Sequence, residues 1–238
     1  MAEDPLVLRF DITDALPAAV SLGQEAWITA RVFAPPATAR SARTSVIVCL
    51  HGGSYDWRYY HITGPGLAGY SMAEDLAARG HVVIVPDQLG VGESSRPGDP
   101  YKATRDVAAA ANHAAMTQAF GRLAEGRLHP AVPPCPDPLK VGLGHSMGAM
   151  VMLTEQARLG GYDLTALIGY TNRGAHLEIG GKMVSLAAPF DETLPPYKRV
   201  DRARVMRSFH WEDTPAAALA ADEAMSVEFM SVDRKSVV

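Results

Sequence analysis

The chain has 238 residues, 47% hydrophobic and 20% charged, which suits one globular domain, at most with an insertion, and excludes a disordered or collagen-like chain. Its 22 Lys and Arg stand against 26 Asp and Glu, a formal charge of -4, so no basic field points to nucleic acid or an anionic membrane surface, and a small molecule is the expected partner. The two cysteines, Cys49 in an apolar run and Cys135 in a proline-rich loop, form neither a disulfide framework nor a zinc site and read as free thiols.

In chain order, residues 1–5 are acidic and carry no basic segment followed by an apolar core, so no secretory signal is expected and the cytoplasm is the expected compartment. Residues 6–12 and 26–33 alternate apolar and polar side chains around a Pro/Gly turn region, which predicts an antiparallel pair that ends at Pro35-Pro36. Short, nearly continuous apolar runs follow at 45–50, 81–85, 139–143 and 164–170, the pattern of strands buried on both faces. None approaches the ~20 residues needed to cross a bilayer. Between them lie helical patterns at 71–79, closed by Gly80, at 103–123, and at 147–159, closed by Gly160-Gly161. This alternation predicts an α/β fold over residues 1–172, a mostly parallel sheet with helices on both faces.

From about residue 173 the pattern breaks, and 173–232 reads as a partial lid. Residues 174–190 have glycine pairs and no firm period, while 197–209 and 215–230 read as helices, the second with Asp213 or Thr214 as N-cap and Pro215 in its first turn. The last six residues, 233–238, are similar to the translation of a common short-read sequencing adapter that ends in a stop. They read as a read-through scar, in which case the natural gene continues beyond Ser231 or Val232.

Candidate chemistry collects where strands meet helices. Gly144-His145-Ser146-Met147-Gly148 sits between the run 139–143 and the helix 147–159, the strand, sharp turn and helix that a nucleophile elbow requires. Small residues at 144 and 148 leave room for the bent chain and the approaching helix, whose free N–H groups and partial positive charge would face a forming oxyanion. His51-Gly52-Gly53-Ser54 and the loop 87–94 (Asp87-Gln88-Leu89-Gly90-Val91-Gly92-Glu93-Ser94) each follow a predicted strand at its carboxyl end, the edge of a parallel sheet where ligands bind.

His-Gly-Gly, then Asp-x-x-Gly-x-Gly-x-Ser, then Gly-His-Ser-Met-Gly, in that order, resembles the α/β-hydrolase superfamily, and the likeness covers roughly residues 20–172. The resemblance implies that Ser146 is the nucleophile and that the backbone N–H groups of Met147 and of Gly53, or alternatively Ser54, form the oxyanion hole. It implies ester or lactone hydrolysis through an acyl-enzyme. Serine-dependent carbon–carbon hydrolases and acyl transferases share all three motifs, and a ligand-binding or inactive relative is the alternative outside catalysis. A serine at this position argues against the epoxide hydrolases and haloalkane dehalogenases of the fold, which place aspartate there. The resemblance also implies that the catalytic acid and histidine follow the serine near two later strands, which the sequence lacks. The expectation is therefore an α/β-hydrolase fold without its last strands and helices, inactive as it stands, with 164–170 left as an open sheet edge.

Other features have plainer readings. Asp87 and Ser94 are expected to hold their loop, His51 to brace its own, and His145 to pack beside the elbow. His210 and Asp213 could be argued as a substitute base and acid, but a lid packing site and a helix start explain them as well. Met147, Met150 and Met152 read as core packing. Lys198, Arg199, Arg202, Arg204 and Arg207 read as a solvated face, with attraction of a carboxylate-bearing substrate as the alternative. Trp57, Tyr59 and Tyr60 either line an acyl pocket or pack a long loop. No metal-ligand spacing, phosphate loop or cofactor signal occurs, and the expected cofactor list is empty.

Overall fold

The computed structural model describes residues 5–39, 44–171, 176–179, 182–185, 193, 195–201 and 209–230. Among these a six-stranded sheet runs in the order β1-β2-β4-β3-β5-β6. Strands β1 (Leu6–Asp11) and β2 (Trp27–Phe33) pair antiparallel, with Leu6 opposite Val32 and Asp11 opposite Trp27, and β2 also lies antiparallel to β4 (Val82–Pro86). Strands β4, β3 (Ser45–Leu50), β5 (Leu139–His145) and β6 (Leu164–Ile168) are mutually parallel. The mostly parallel sheet is thus the expected one.

The unbroken apolar runs of β3 and β4 follow from burial on both sides. Successive side chains of a strand point to opposite faces. Val46, Val48, Leu50, Val82 and Ile84 enter the larger core, while Ile47, Cys49, Val83 and Val85 enter the smaller one. The larger core lies under α3 (Arg105–Ala124) and α4 (Met147–Arg158); the smaller lies under α2 (Met72–Ala78) and the 3-10 turn Trp57–Tyr60. Each fully buried aliphatic side chain contributes about 1.5–3 kcal/mol of transfer free energy. Met150 and Met152 are core residues, as read from sequence, and Met147 packs against them in part. Helix starts are set locally: Ser71 accepts from Glu74 N at 3.2 Å and Thr104 from Val107 N at 3.4 Å. A short helix α1 (Ala18–Ser21) was not expected.

The region after residue 171 departs from the sequence reading. Residues 197–198 are not helical: β9 (Tyr197–Lys198) pairs antiparallel with β10 (Phe229–Met230), which lies in the stretch expected to be the second helix. Pro195-Pro196 favours extended backbone just before β9, and β10 supplies the partner. Helix α5 (Ala216–Met225) is real, but its N-cap is Pro215 with no side-chain cap, so neither Asp213 nor Thr214 fills that role. Between 174 and 190, β7 (His176–Ile179) and β8 (Lys182–Ser185) form an antiparallel hairpin. Gly180-Gly181 between two alternating tetrapeptides was the missed hairpin signal. The expected helix over 202–208, Arg202, Arg204 and Arg207 with it, and the adapter-like residues 233–238 lie outside the described residues.

Candidate active site

Ser146 sits between β5 and α4 with φ 52° and ψ -115°, in left-handed territory that a non-glycine residue occupies at a cost of about 1–3 kcal/mol. A serine before a helix ordinarily turns its hydroxyl onto the first N–H groups of that helix. Ser146 makes no such cap, so its Oγ is not used by α4. The bend is held by close backbone approach: a Cβ on Gly144 would come 2.6 Å from Ala149 Cα, and one on Gly148 would come 2.6 Å from the His51 carbonyl oxygen. Gly148 therefore clamps the start of α4 against the end of β3. Met147 N–H belongs to the first turn of α4, where backbone donors lack intrahelical acceptors.

The loop after β3 reaches the same place. A Cβ on Gly52 would lie 3.5 Å from Ser146 Cβ and 2.9 Å from His145 Nδ1. Gly53 faces the ring of Phe229, so close that a Cβ there would be 2.9 Å from Phe229 Cε2. Ser54 has φ 70° and is buried, and its carbonyl accepts from Val227 N at 3.0 Å. Ser146, Gly52 and the start of α4 thus come together, and Gly53 follows one residue on, under Phe229.

His51 is fully buried. Its Nε2 accepts from Gln88 N at 3.3 Å, which leaves the proton on Nδ1 to donate to Gly52 O at 2.9 Å. Burial holds its pKa below the usual histidine value, so it is a neutral brace between two loops. Gln88 completes the brace by donating Nε2–H to His51 O at 2.5 Å. Asp87 accepts from Trp57 N at 2.8 Å and from Glu93 N at 2.9 Å; burial pushes its carboxyl up to about 6 despite those two donors. Ser94 accepts from Thr29 N at 3.0 Å and donates to Asp87 O at 2.6 Å. Both residues hold their loop.

His145 stacks on Tyr59 at 5.1 Å between ring centroids, and its Nδ1 is buried without a hydrogen-bond partner. Desolvation lowers its pKa. Tyr60 donates to Leu50 O at 3.1 Å, and Trp57 packs against the smaller core, so the aromatic run braces the loop. Neither His51 nor His145 hydrogen-bonds to Ser146. His210 lies with Asp222, its Nε2 3.4 Å from Asp222 Oδ2, rather than with Asp213. Asp222 also accepts from Tyr55 OH at 2.5 Å, tying α5 to the loop after Gly53. Sequence reasoning missed Gln88, Phe229 and this Tyr55–Asp222 contact. The acidic pair Asp222-Glu223 at the end of an otherwise apolar, alanine-rich segment was the available clue.

Among the described residues no cluster of three or more His, Cys, Asp or Glu could hold a metal ion, and no helix is long and apolar enough to cross a membrane. Cys49 is fully buried, which pushes its thiol up to about 12 and leaves it inert; Cys135 is likewise free.

No curated protein matches the chain. Among solved structures it is similar to a probable hydrolytic enzyme from Pseudomonas aeruginosa at 23% identity and a TM-score of 0.48, covering 70% of this chain and 42% of that one. It is also similar to an alpha/beta hydrolase from Novosphingobium aromaticivorans, at 18% identity and TM-score 0.45 over 75% of this chain and 53% of that one. An esterase from Exiguobacterium antarcticum matches at 17% identity and TM-score 0.41 over 62% and 43%. The chain therefore spans about half or less of the length of these proteins. The model of one family, described as the alpha/beta hydrolase family, matches residues 47–235, most of the sequence, and the chain belongs to that family.

Proposed function

We propose that this chain carries the nucleophile of a serine hydrolase that opens a carboxylic ester or lactone through an acyl-enzyme on Ser146. The observation that supports the reading best is the left-handed backbone at Ser146, combined with a hydroxyl that does not cap its own helix. In the proposed reaction Ser146 Oγ attacks the acyl carbon as a base removes its proton, and the carbonyl electron pair moves onto oxygen. The N–H groups of Gly53 and Met147 stabilise that oxyanion, each contributing about 2.7–4 kcal/mol to the transition state. Collapse expels the alcohol, which takes the proton, and water then releases the acid in a second, equivalent round.

The general base and its carboxylate are proposed to come from outside the described residues, since His51 is locked between two loops and His145 is stacked on Tyr59. Residues 173–232 are proposed to form part of a lid, with β10 and α5 resting on the loops around Gly53 and Tyr55.

Two measurements test the reading. Incubation of a longer protein that carries this chain together with its general base with a fluorophosphonate, followed by peptide mass spectrometry, should place a single adduct on Ser146, lost in S146A. An intact protein with no adduct there would overturn the proposal and leave a ligand-binding member of the family. Turnover of p-nitrophenyl acetate by the 238-residue chain should lie about 10⁶-fold below that of a family member with a complete triad. Turnover within about tenfold of such an enzyme would overturn the assignment of the base.

A further inference from the structure

Ser146 starts α4; nine residues on, about 13 Å along the helix, the same helix buries a carboxyl that the proposed chemistry does not use. Glu155 is 1% exposed. Its Oε2 accepts from Asn112 Nδ2 at 2.5 Å, the Tyr162 hydroxyl also donates to the carboxyl, and its Oε1 has His113 Nδ1 at 3.5 Å. Beside it, between α3, α4 and the start of β5, opens a cavity of about 300 Å³. Glu155 and His113 form one part of its wall, Lys140 another, and Met116, Phe120 and Pro138 supply apolar surface. The Lys140 ammonium is held 5.0 Å from the centre of the Phe120 ring and has no carboxylate partner among the described residues.

Neutral donors alone do not offset the burial of an ionised carboxyl, so an approaching cation would draw Glu155 into its charged form, and an ammonium over a ring with no carboxylate beside it is an anchor for an anion. Opposite charges on the wall of one small, largely apolar cavity match a molecule that carries both charges at its polar end and hydrocarbon at the other. The volume lies at the lower end of ligand pockets, which run about 300–1,000 Å³, so the occupant is small. We infer that the α3–α4 cavity binds a small aliphatic amino acid, its ammonium directed to Glu155, its carboxylate to Lys140 and its side chain to Met116, Phe120 and Pro138. The site is separate from Ser146 and does not depend on the reaction proposed for that residue.

Isothermal calorimetry and thermal unfolding of the whole chain with L-leucine test the inference, using isopentylamine and 4-methylpentanoate as probes that keep the hydrocarbon and only one charge each. Leucine should bind with 1:1 stoichiometry and raise Tm as its concentration rises. Each single-charge probe should bind at least about tenfold more weakly, the worth of one hydrogen bond to a charged group. E155Q and K140M should each weaken leucine by a similar factor. Because E155Q keeps the shape of the side chain and an oxygen to accept from Asn112, and K140M alters a partly exposed side chain, both variants are expected to fold, and their unliganded Tm values verify this. No heat and no Tm shift with millimolar leucine, binding that both variants leave unchanged, or isopentylamine binding as tightly as leucine would each overturn the inference.

Discussion

The loop edge of the sheet and the flank built by α4 and β6 treat polar and apolar groups in opposite ways. At the loop edge the buried polar side chains His51, Asp87 and Ser94 each meet specific backbone groups, and the result is a rigid frame around Ser146. On the flank, Leu153, Leu159, Leu164, Leu167 and Ile168 are exposed, while a carboxyl, Glu155, is buried one turn from Leu159. Buried polar groups are therefore matched at the loop edge, and on the flank hydrocarbon and carboxyl sit in the reverse of their usual places. Four perturbations probe the contrast, from the largest expected effect to the smallest.

Replacing Glu155 by Gln should give the largest effect, and on the flank. Burial pushes the carboxyl up from 4.5 to about 7, so the folded state holds its proton more tightly than the unfolded chain. The associated stability is present in full below about pH 4.5 and is lost as the pH rises through about 7. At 1.36 kcal/mol for each pKa unit, wild type should lose about 3 kcal/mol relative to E155Q between mildly acidic and mildly alkaline conditions. Urea titrations of both proteins across that range check the difference. Parallel stability curves would mean that Glu155 is ionised in the fold.

At the loop edge, Gly148→Ala should destabilise by about 2–3 kcal/mol, because its methyl group would drive into the backbone carbonyls of Leu50 and His51, which cannot rotate away. In a longer protein that supplies the general base, fluorophosphonate labelling of Ser146 should slow with it, since the methyl group pushes the start of α4 from the end of β3. Unchanged stability, read from the urea midpoint, would show that the elbow is looser than its contacts imply. Ser94→Ala should cost less, about 1–2 kcal/mol, since it strands Thr29 N–H and removes the bond to Asp87 O while leaving the Asp87 carboxylate contacts in place.

Much of this contrast was legible before any coordinates. The runs at 45–50 and 81–85 announced two-sided burial because every residue in them after the first, Ser45 and His81, is apolar, and the family-like trio of loops fell at strand ends because parallel strands deliver their carboxyl ends to one edge. Strain at Ser146 followed from glycines two residues away on either side. What stayed hidden depends on contacts remote in sequence. Phe229 against Gly53 joins positions 176 residues apart, and Tyr55 with Asp222 joins positions 167 apart; no local period records either. The same limit misled the reading of 197–198 as helix, where β10 rather than local propensity decides the backbone.

The smallest expected change in stability belongs to β6, which ends the sheet among the described strands. Leu167 is 39% and Ile168 47% exposed, on opposite faces of the strand, so a polar side chain at either loses little buried area. L167K or I168K should therefore shift folding stability by no more than about 0.5 kcal/mol. Association is a different matter. An uncovered edge with hydrocarbon on both faces offers backbone hydrogen bonds and apolar contact to any second chain, and an edge lysine blocks that pairing by charge and by the cost of desolvating its ammonium. Sedimentation velocity should show wild type self-associating with rising concentration and both lysine variants remaining monomeric. If wild type is itself monomeric at high concentration, the exposed side chains of β6 are insufficient for pairing and the flank is less adhesive than its composition implies.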